Sequence, residues 1–214
     1  MRFVAEQLGY KISYNSRMGA IILRSPDYQG SDPEFVTLEP PQLPANLPRW
    51  GTLATTPVMV ELWPTENIIA GYYTSIATSP APRNRNILLS CNKLNGTIVN
   101  PGELCSFNQT VGQRTAQAGY QPAGVIVGKR LVSGIGGGVC QTSSTLYNSL
   151  LESQLQIVER HPHTLRIGYV PENRDATVSW GGADLKFRNN KIYPIKILAQ
   201  VYETYVIFAI AKVE

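Results

Sequence analysis

The sequence has few charged residues and no long apolar run. Charged residues make up 16% of the 214 residues, and 19 basic against 15 acidic ones give a formal net charge of +4. The basic residues are scattered, so nucleic acid is not expected as a partner. Four of them, Arg83, Arg85, Lys129 and Arg130, could favour an anionic polymer such as a bacterial wall, but we expect them on a solvated surface. No apolar stretch reaches the roughly 18 residues of a membrane span, which predicts that no transmembrane segment is present.

Metal-binding patterns are scarce as well. The chain contains 3 cysteines and 2 histidines, without a Cys-x-x-Cys pair. His161 and His163 are two positions apart, so on a strand they would share one face with Pro162 between them. We therefore predict neither a metal site nor a cofactor.

The most informative stretch is a glycine run that ends in a cysteine, from Gly134 to Thr145. Glycine allows positive φ angles and close backbone approach. The leucines at 146, 150 and 151 have helical spacing, which predicts one principal helix from about Gln141 to Glu152. Cys140 would then lie in the first turn, where unpaired N–H groups and the helix dipole stabilise a thiolate. The alternative is a small, buried cysteine in a tight turn.

Both histidines lie in the short segment Glu159 to Thr164. A thiol nucleophile needs a base that titrates near neutral pH, and histidine supplies one. A helix, a turn and the start of a strand fit between Cys140 and His163. The alternative is that the histidines bond to backbone carbonyls at a strand entry.

Two carboxylates follow on segments with strand-like alternation, Asp175 to Trp180 and Asp184 to Arg188. The chain order suits a catalytic triad with Cys140 as nucleophile, His163 as general base and an aspartate that orients the imidazole. We favour Asp175 because the turn at 171–173 can fold its strand back beside His163, whereas Asp184 can bond within the turn at 181–183.

The same segments predict groups that bind a substrate. Backbone N–H groups of Cys140 and Gln141 could form an oxyanion hole. Alternatively, the glycine loop could bind an anion without catalysis. The predicted substrate-binding residues are Gly137, Gly138, Gln141, Arg160 and His161.

The other two cysteines, Cys91 and Cys105, are 14 residues apart with turn-forming residues between them. They could form a disulfide across a hairpin, which would leave Cys140 as the free thiol. Two reduced, buried cysteines are the equal alternative.

The composition favours a fold rich in loops and strands, because the chain contains 15 prolines and 18 glycines. We predict an α+β domain over residues 51–214, with an antiparallel sheet built largely from the C-terminal strands. Residues 192–203 and 204–212 are rich in Ile, Val and Tyr and should pair as a hairpin.

The N-terminus has a separate organisation. Residues 2–9 are predicted to form a helix, and 10–14 and 20–23 two strands, a unit that resembles the end of the copper amine oxidase N-terminal-like repeat. This resemblance covers residues 1–25 and implies a fragment of a longer secreted or wall-attached protein, although Met1-Arg2-Phe3 does not open a secretory signal. The prolines of residues 26–50 predict a linker.

From Arg83 onward the chain resembles the VanW-like family in many short stretches, which follow one another in the same order as in the family. They include Asn100-Pro101-Gly102-Glu103, Ser106-Phe107-Asn108, Gly136-Gly137-Gly138-Val139-Cys140-Gln141, Thr145-Leu146-Tyr147-Asn148, Glu159-Arg160-His161-Pro162-His163 and Asp184-Leu185-Lys186-Phe187-Arg188-Asn189. The resemblance implies a bacterial envelope setting, and hence an extracellular or wall-associated protein with peptidoglycan or its peptides as partner.

Two functions are compatible with these expectations. One is a cysteine-dependent enzyme that transfers acyl groups or hydrolyses amides in peptidoglycan peptides. Its plan looks like that of the transglutaminase-like and papain-like hydrolases. The other is a non-catalytic module that binds the cell wall and is associated with glycopeptide resistance.

Overall fold

The computed structural model describes residues 11–15, 20–24, 47–52 and 62–214. The chain divides into two compact units, residues 1–40 and 41–214. In the first unit, β1 (Lys11–Asn15) pairs antiparallel with β2 (Ala20–Arg24), in agreement with the two strands expected there. The helix expected at 2–9 and most of the linker expected at 26–50 lie outside the described residues.

The second unit contains both helices and strands, and the α+β prediction is confirmed. Its described elements are β3 (Trp50–Thr52), β4 (Asn67–Ser75), α1 (Ala81–Leu94), β5 (Ile98–Val99), β6 (Leu104–Ser106), α2 (Phe107–Val111), β7 (Pro122–Val127), β8 (Arg130–Ile135), α3 (Val139–Glu152), β9 (Gln156–Glu159), β10 (Lys186–Arg188), β11 (Ile195–Tyr202) and β12 (Tyr205–Lys212).

A five-stranded antiparallel sheet with the order β3-β4-β12-β11-β5 forms the centre of this unit. Strand β12 is buried on both faces, because Val206, Phe208 and Ile210 join one apolar cluster and the residues between them join another. This explains its nearly continuous apolar sequence. Strands β11 and β12 form the predicted C-terminal hairpin, with the turn at 203–204.

Two helices pack on this sheet instead of the single principal helix that was predicted. Helix α3 has the expected position and packs on β4 and β12, but α1 is just as long, with 14 residues. Pro82 lies in its first turn, where the missing N–H costs nothing. Buried residues recur along α1 at Asn86, Ile87, Ser90 and Cys91, a helical spacing.

Two smaller sheets complete the described strands of this unit. Strands β6, β10 and β9 form a three-stranded sheet, and β7 and β8 form an antiparallel hairpin. The strand predicted at Asp175–Trp180 is wrong, because this segment bonds to α3 instead of to a neighbouring strand. Ser144 Oγ accepts from the Ala176 N–H at 2.9 Å, and Ser143 Oγ donates to the Ala176 carbonyl at 2.6 Å. The segment thereby lies against the first two turns of α3.

All three cysteines are free thiols. Cys91 and Cys105 are buried in the main apolar cluster, so the structure agrees with the alternative of reduced, buried cysteines. Burial raises the pKa of the Cys91 thiol to about 12, although a hydrogen bond with Thr142 partly opposes this. Neither thiol is therefore ionised near neutral pH.

Candidate functional site

A tight glycine turn leads into α3 and sets the position of Cys140. Gly138 has a φ of 106°, which favours glycine. At Gly137 an added Cβ would lie 2.6 Å from the carbonyl oxygen of Gly124, so this position allows the turn to contact the backbone of β7. Gly137 and Gly138 thus permit close packing around the turn. Together with Cys140 they line a cavity, which is described below.

Cys140 lies in the first turn of α3, with its side chain partly buried. Its thiol donates to the Val178 carbonyl over 3.6 Å. Among the described residues no group accepts from the Cys140 N–H. The Gln141 N–H donates to the Gly138 carbonyl at 2.8 Å, so it cannot take the expected part in an oxyanion hole. One backbone donor, that of Cys140, is therefore open at the thiol.

His163 and Asp175 form a nearly buried pair. His163 Nδ1 lies 2.5 Å from Asp175 Oδ2, and the His163 backbone N–H donates to the same oxygen at 2.6 Å. The two side chains are only 5% and 8% exposed. Burial alone would raise the pKa of Asp175, but the two bonds with His163 and the charges of His163 and Arg160 lower it overall. Asp175 is therefore a carboxylate that fixes the orientation of the ring.

The other side of the His163 ring faces Cys140 and Tyr169. Burial alone would lower the pKa of His163, but a hydrogen bond with Cys140 and the interaction with Asp175 raise it above its usual value. Because Nδ1 is occupied by Asp175, Nε2 is the nitrogen left for the thiol. Nε2 also lies 3.5 Å from the Tyr169 hydroxyl. The structure thus places Cys140 and His163 in the wall of one cavity, where they interact electrostatically, and bonds His163 to Asp175.

Asp184, the other acid considered, lies elsewhere. Its Oδ2 accepts from the Ser106 hydroxyl at 2.5 Å, and its Oδ1 accepts from the Asn108 N–H at 2.9 Å and the Leu185 N–H at 2.8 Å. It therefore joins the start of α2 to the residues before β10, instead of bonding within the turn at 181–183.

His163 does not lie on a strand, because β9 ends at Glu159. His161, in the same segment, bonds to Glu159 at 3.0 Å, outside the cavity wall. Arg160 also lies outside the wall: its Nη2 donates to Asp175 Oδ1 at 2.8 Å and its Nε to the Asp175 carbonyl at 2.6 Å. Arg160 thus holds Asp175 from the side opposite His163.

Gln141 borders the cavity, but its side chain is engaged within the protein. Its Oε1 accepts from Arg83 Nη1 at 2.7 Å, and its Nε2 donates to Thr74 Oγ1 and to the Ser75 carbonyl, both at 3.0 Å. The whole residue is 1% exposed. Gln141 therefore anchors Arg83 to the sheet.

A cavity of about 770 Å³ opens beside Cys140 and His163. Its wall is formed by the β7–β8 hairpin, the glycine turn, residues 162–169 and residues 177–180. The wall includes Val125, Ile126, Leu131, Tyr169 and Trp180, so much of it is apolar or aromatic. Such a cavity suits a small organic ligand or a short peptide.

Three arginines line the cavity, Arg83, Arg114 and the exposed Arg166, and none of them was among the predicted site residues. Arg83 was expected on a solvated surface, yet its side chain is partly buried and lies over the Tyr169 ring at 5.7 Å. Arg114 is also partly buried in the wall. Burial lowers the pKa of both, and interaction with Cys140 opposes this. No local sequence pattern marks either residue, because each reaches the site through tertiary contacts.

The described part of the chain holds neither a membrane-spanning helix nor a metal-binding cluster. It contains no helix long and apolar enough to cross a membrane. Within the same residues, no group of three or more His, Cys, Asp or Glu side chains could hold a metal ion.

Comparisons with known proteins agree on one family. The model for VanW like protein matches residues 82–211. The chain is 48% identical over 131 residues to the uncharacterized protein YoaR of Bacillus subtilis (strain 168), covering 61% of this chain and 43% of the relative. It is 33% identical over 110 residues to the vancomycin B-type resistance protein VanW of Enterococcus faecalis (strain ATCC 700802 / V583), covering 49% of this chain and 40% of that relative.

The matched part thus amounts to about two fifths of the length of these relatives. No solved structure matches the chain. The matched segment runs from α1 to β12 and contains the glycine turn, Cys140, His163 and Asp175. Because the family match covers more than half of its residues, this chain belongs to the VanW-like family.

Proposed function

We propose that this chain is a bacterial cell-envelope protein that uses Cys140 as a nucleophile to cleave or transfer acyl groups of peptidoglycan peptides. The observation that carries the proposal is that Cys140 and His163 line one cavity, while Asp175 bonds to Nδ1 of the His163 ring and leaves its Nε2 available. A nucleophile, a base in contact with it and a third group that orients the base are the parts that covalent catalysis requires.

The first half of the reaction forms an acyl-enzyme. His163 takes the thiol proton through Nε2, and the sulfur attacks the carbonyl carbon of the substrate amide to form a C–S bond. The Cys140 N–H can donate to the developing oxyanion. His163 then gives its proton to the leaving nitrogen, the C–N bond breaks and the amine departs.

The second half returns the enzyme to its starting state. His163 takes a proton from a water molecule or an acceptor amine, whose oxygen or nitrogen attacks the thioester carbon. The C–S bond breaks and the sulfur leaves with the proton held by His163. Water yields hydrolysis and an amine yields transpeptidation. Asp175 keeps its charge throughout and stabilises the protonated imidazole.

The envelope setting is supported by the family and by one relative's name. The Enterococcus faecalis relative is called a vancomycin B-type resistance protein. Because vancomycin acts on the cell wall, we extend to this chain an extracellular or wall-associated location and peptidoglycan peptides as substrate. The resemblance of residues 2–24 to the copper amine oxidase N-terminal-like repeat, and the boundaries at 1–25, 26–50 and 51–214, stay predictions that agree with this setting.

The test is turnover of purified muropeptides, followed by mass spectrometry. We expect Cys140→Ala to abolish release of peptide products, and His163→Ala to lower the rate by roughly 10² to 10⁴, as is typical for loss of a general base. Cys105→Ala, which removes a buried thiol outside the cavity, is the matched control and should retain activity. Intact-mass analysis should find an acyl adduct on Cys140.

A second function, binding of the cell wall without turnover, is favoured by the aromatic and cationic side chains of the cavity. Trp180 is 51% exposed at its wall, and Arg83 lies over the Tyr169 ring. If Cys140→Ala changes neither product formation nor wall binding, the enzymatic proposal is wrong and the binding module is the better description.

A further inference from the structure

Two arginines lie on either side of the glycine turn that carries Cys140. An added Cβ at Gly138 would lie 2.7 Å from Arg83 Cγ, and one at Gly136 would lie 3.0 Å from Arg114 Cβ. Both arginines line the cavity. The glycine turn therefore brings two positive charges close to the thiol from different elements, since Arg83 belongs to α1 and Arg114 follows α2.

Each guanidinium is held by one nitrogen only. Arg83 Nη1 donates to Ser79 Oγ at 3.1 Å and to Gln141 Oε1 at 2.7 Å. Arg114 Nη1 donates to Asn108 Oδ1 at 2.8 Å and to the Gly112 carbonyl at 3.1 Å. Within the described ranges, Nε and Nη2 of both side chains lack an acceptor, and they are not enclosed. These two nitrogens form the edge that binds a carboxylate bidentately.

Within the described residues, no carboxylate forms an ion pair with either arginine, although the charge of Asp184 helps to keep Arg114 protonated. Neither Arg83 nor Arg114 has an ion-pair partner among the described residues, and the cavity wall contains no Asp or Glu. Asp175 lies behind His163 and is already bonded to His163 and Arg160. Partly buried cations without a directly bonded counter-ion are costly, and a bound anion would reduce that cost.

We propose that Arg83 and Arg114 form a carboxylate-binding pair, so that the substrate is a peptide with a free carboxylate close to the carbonyl that Cys140 attacks. The position of that carbonyl rests on the proposed function, whereas recognition of the carboxylate rests on the arginines alone. Contacts of Nη1 and the stacking of Arg83 on Tyr169 keep the binding edges in place before a ligand arrives.

A carboxylate on a peptide fits this cavity better than an inorganic anion. The planar fork of arginine matches a carboxylate in two parallel hydrogen bonds. Beyond the arginines the wall is formed by Val125, Ile126, Leu131 and Trp180, which would contact the rest of a peptide. The ligand class is therefore a short peptide whose free acid lies at or beside the residue that acylates the thiol.

The experiment measures binding to the Cys140→Ala chain by calorimetry, so that no turnover is needed. The probes are the stem tetrapeptide L-Ala-γ-D-Glu-L-Lys-D-Ala and two analogues, one amidated at the D-Ala carboxyl group and one at the free D-Glu carboxyl group. We expect one of the two amides to bind at least about ten-fold more weakly than the diacid, the loss of one charged hydrogen-bonded contact.

Arg114→Gln in the same background should reduce that difference to less than about two-fold. The matched control is Arg166→Gln, which removes an 84% exposed arginine of the same wall that already pairs with Glu172. This control should preserve the preference. Because the comparison of diacid and amides uses intact arginines, it stands even if Arg114→Gln does not fold.

Equal affinity for the diacid and both amides, or no binding of any of them, would overturn the inference. So would displacement of the diacid by inorganic phosphate at the same concentration, which would indicate a general anion site. If the diacid is preferred but the wild-type chain turns over no muropeptide, the proposal that Cys140 is a nucleophile is wrong, whereas the proposal of a carboxylate-binding pair still holds. The two failures are thus distinguishable.

Discussion

Replacement of Asp175 by Asn tests whether the pair that it forms with His163 is the buried electrostatic contact described above. The variant keeps the size of the side chain but removes its charge. Asp175 accepts from His163 at 2.5 and 2.6 Å and from Arg160 at 2.8 Å, and all three side chains are mostly buried, with Arg160 at 19% exposure. Without the carboxylate, three donor groups lose their charged acceptor: His163 Nδ1, the His163 backbone N–H and Arg160 Nη2.

The expected magnitude follows from this geometry. Breaking a fully buried ion pair costs about 3 to 5 kcal/mol. Arg160 is partly exposed and the amide oxygen can still accept one bond, so we expect the free energy of unfolding to fall by about 2 to 4 kcal/mol at neutral pH. The control is Glu172→Gln, which breaks a 73% exposed pair with Arg166 at 3.8 Å and should cost less than about 0.5 kcal/mol.

The pH dependence has a definite sign. The pKa of Asp175 is lowered on folding, so its contribution is present above the unfolded value of about 3.9 and is lost as the pH falls through the folded value. The pKa of His163 is raised, so its contribution is full below about 6.5 and is lost as the pH rises through the folded value. The destabilisation by Asp175→Asn should therefore be larger at about pH 5.5 than at about pH 9.

The assay is urea unfolding followed by tryptophan fluorescence. All three tryptophans, Trp50, Trp63 and Trp180, belong to the second unit, so the signal reports on the unit that contains the site. Linear extrapolation gives the free energy of unfolding at each pH. If Asp175→Asn costs no more than Glu172→Gln, or if its cost is the same at both pH values, the electrostatic account of the pair is wrong.

Three further predictions concern the core, the glycine turn and the thiols. Leu150→Ala should lower the free energy of unfolding by about 2 to 5 kcal/mol, because Leu150 is fully buried. Ile192→Ala, at 95% exposure, should change it by less than about 0.5 kcal/mol, so equal unfolding midpoints of the two variants would contradict this. Gly137→Ala should lower the free energy of unfolding, measured by thermal unfolding, by about 1 to 3 kcal/mol, because the added Cβ would meet backbone atoms at 2.6 Å. Gly168→Ala, whose Cβ would have no atom within 4 Å, should be neutral or slightly stabilising. A neutral Gly137→Ala would refute the close approach of the two backbones. Thiol titration should find one rapidly reacting thiol, Cys140, in the native chain and three after unfolding; rapid reaction of a second native thiol would show that the other two are not buried.

Several features of the fold could be predicted because they depend on local patterns. Leucine spacing marks α3, the many Ile, Val and Tyr residues near the C-terminus mark the hairpin of β11 and β12, and the glycines before Cys140 mark the turn. The short apolar run at Asn86–Leu89 fits the period of a strand as well as that of a helix, so the sequence alone does not identify α1 as a helix. Its long buried face, seen in the structure, resolves this.

At the candidate site, too, some features follow from the sequence and others only from the tertiary structure. The chain order of Cys140, His163 and Asp175 is a property of the sequence. Which aspartate lies beside His163 is a tertiary fact, because it depends on how the residues after β9 fold back. The segment at Asp175 bonds to hydroxyl groups of α3 instead of to a strand, and no alternation of residue types encodes such a contact.

Burial and charge balance also required the tertiary structure. In the sequence, Arg83 and Arg114 look like scattered surface cations. Their hydrogen-bond partners cannot be recognised there, because Gln141, the partner of Arg83, lies on α3 and Asn108, the partner of Arg114, lies on α2. Gln141, expected to contact a substrate, is instead enclosed by Arg83 and β4. The sequence by itself determined the glycine turn and helix α3 beside the thiol and the kinds of groups available. Tertiary packing decided which of them meet, because a hydrogen bond or ion pair depends on distances that residues remote in the chain acquire only on folding.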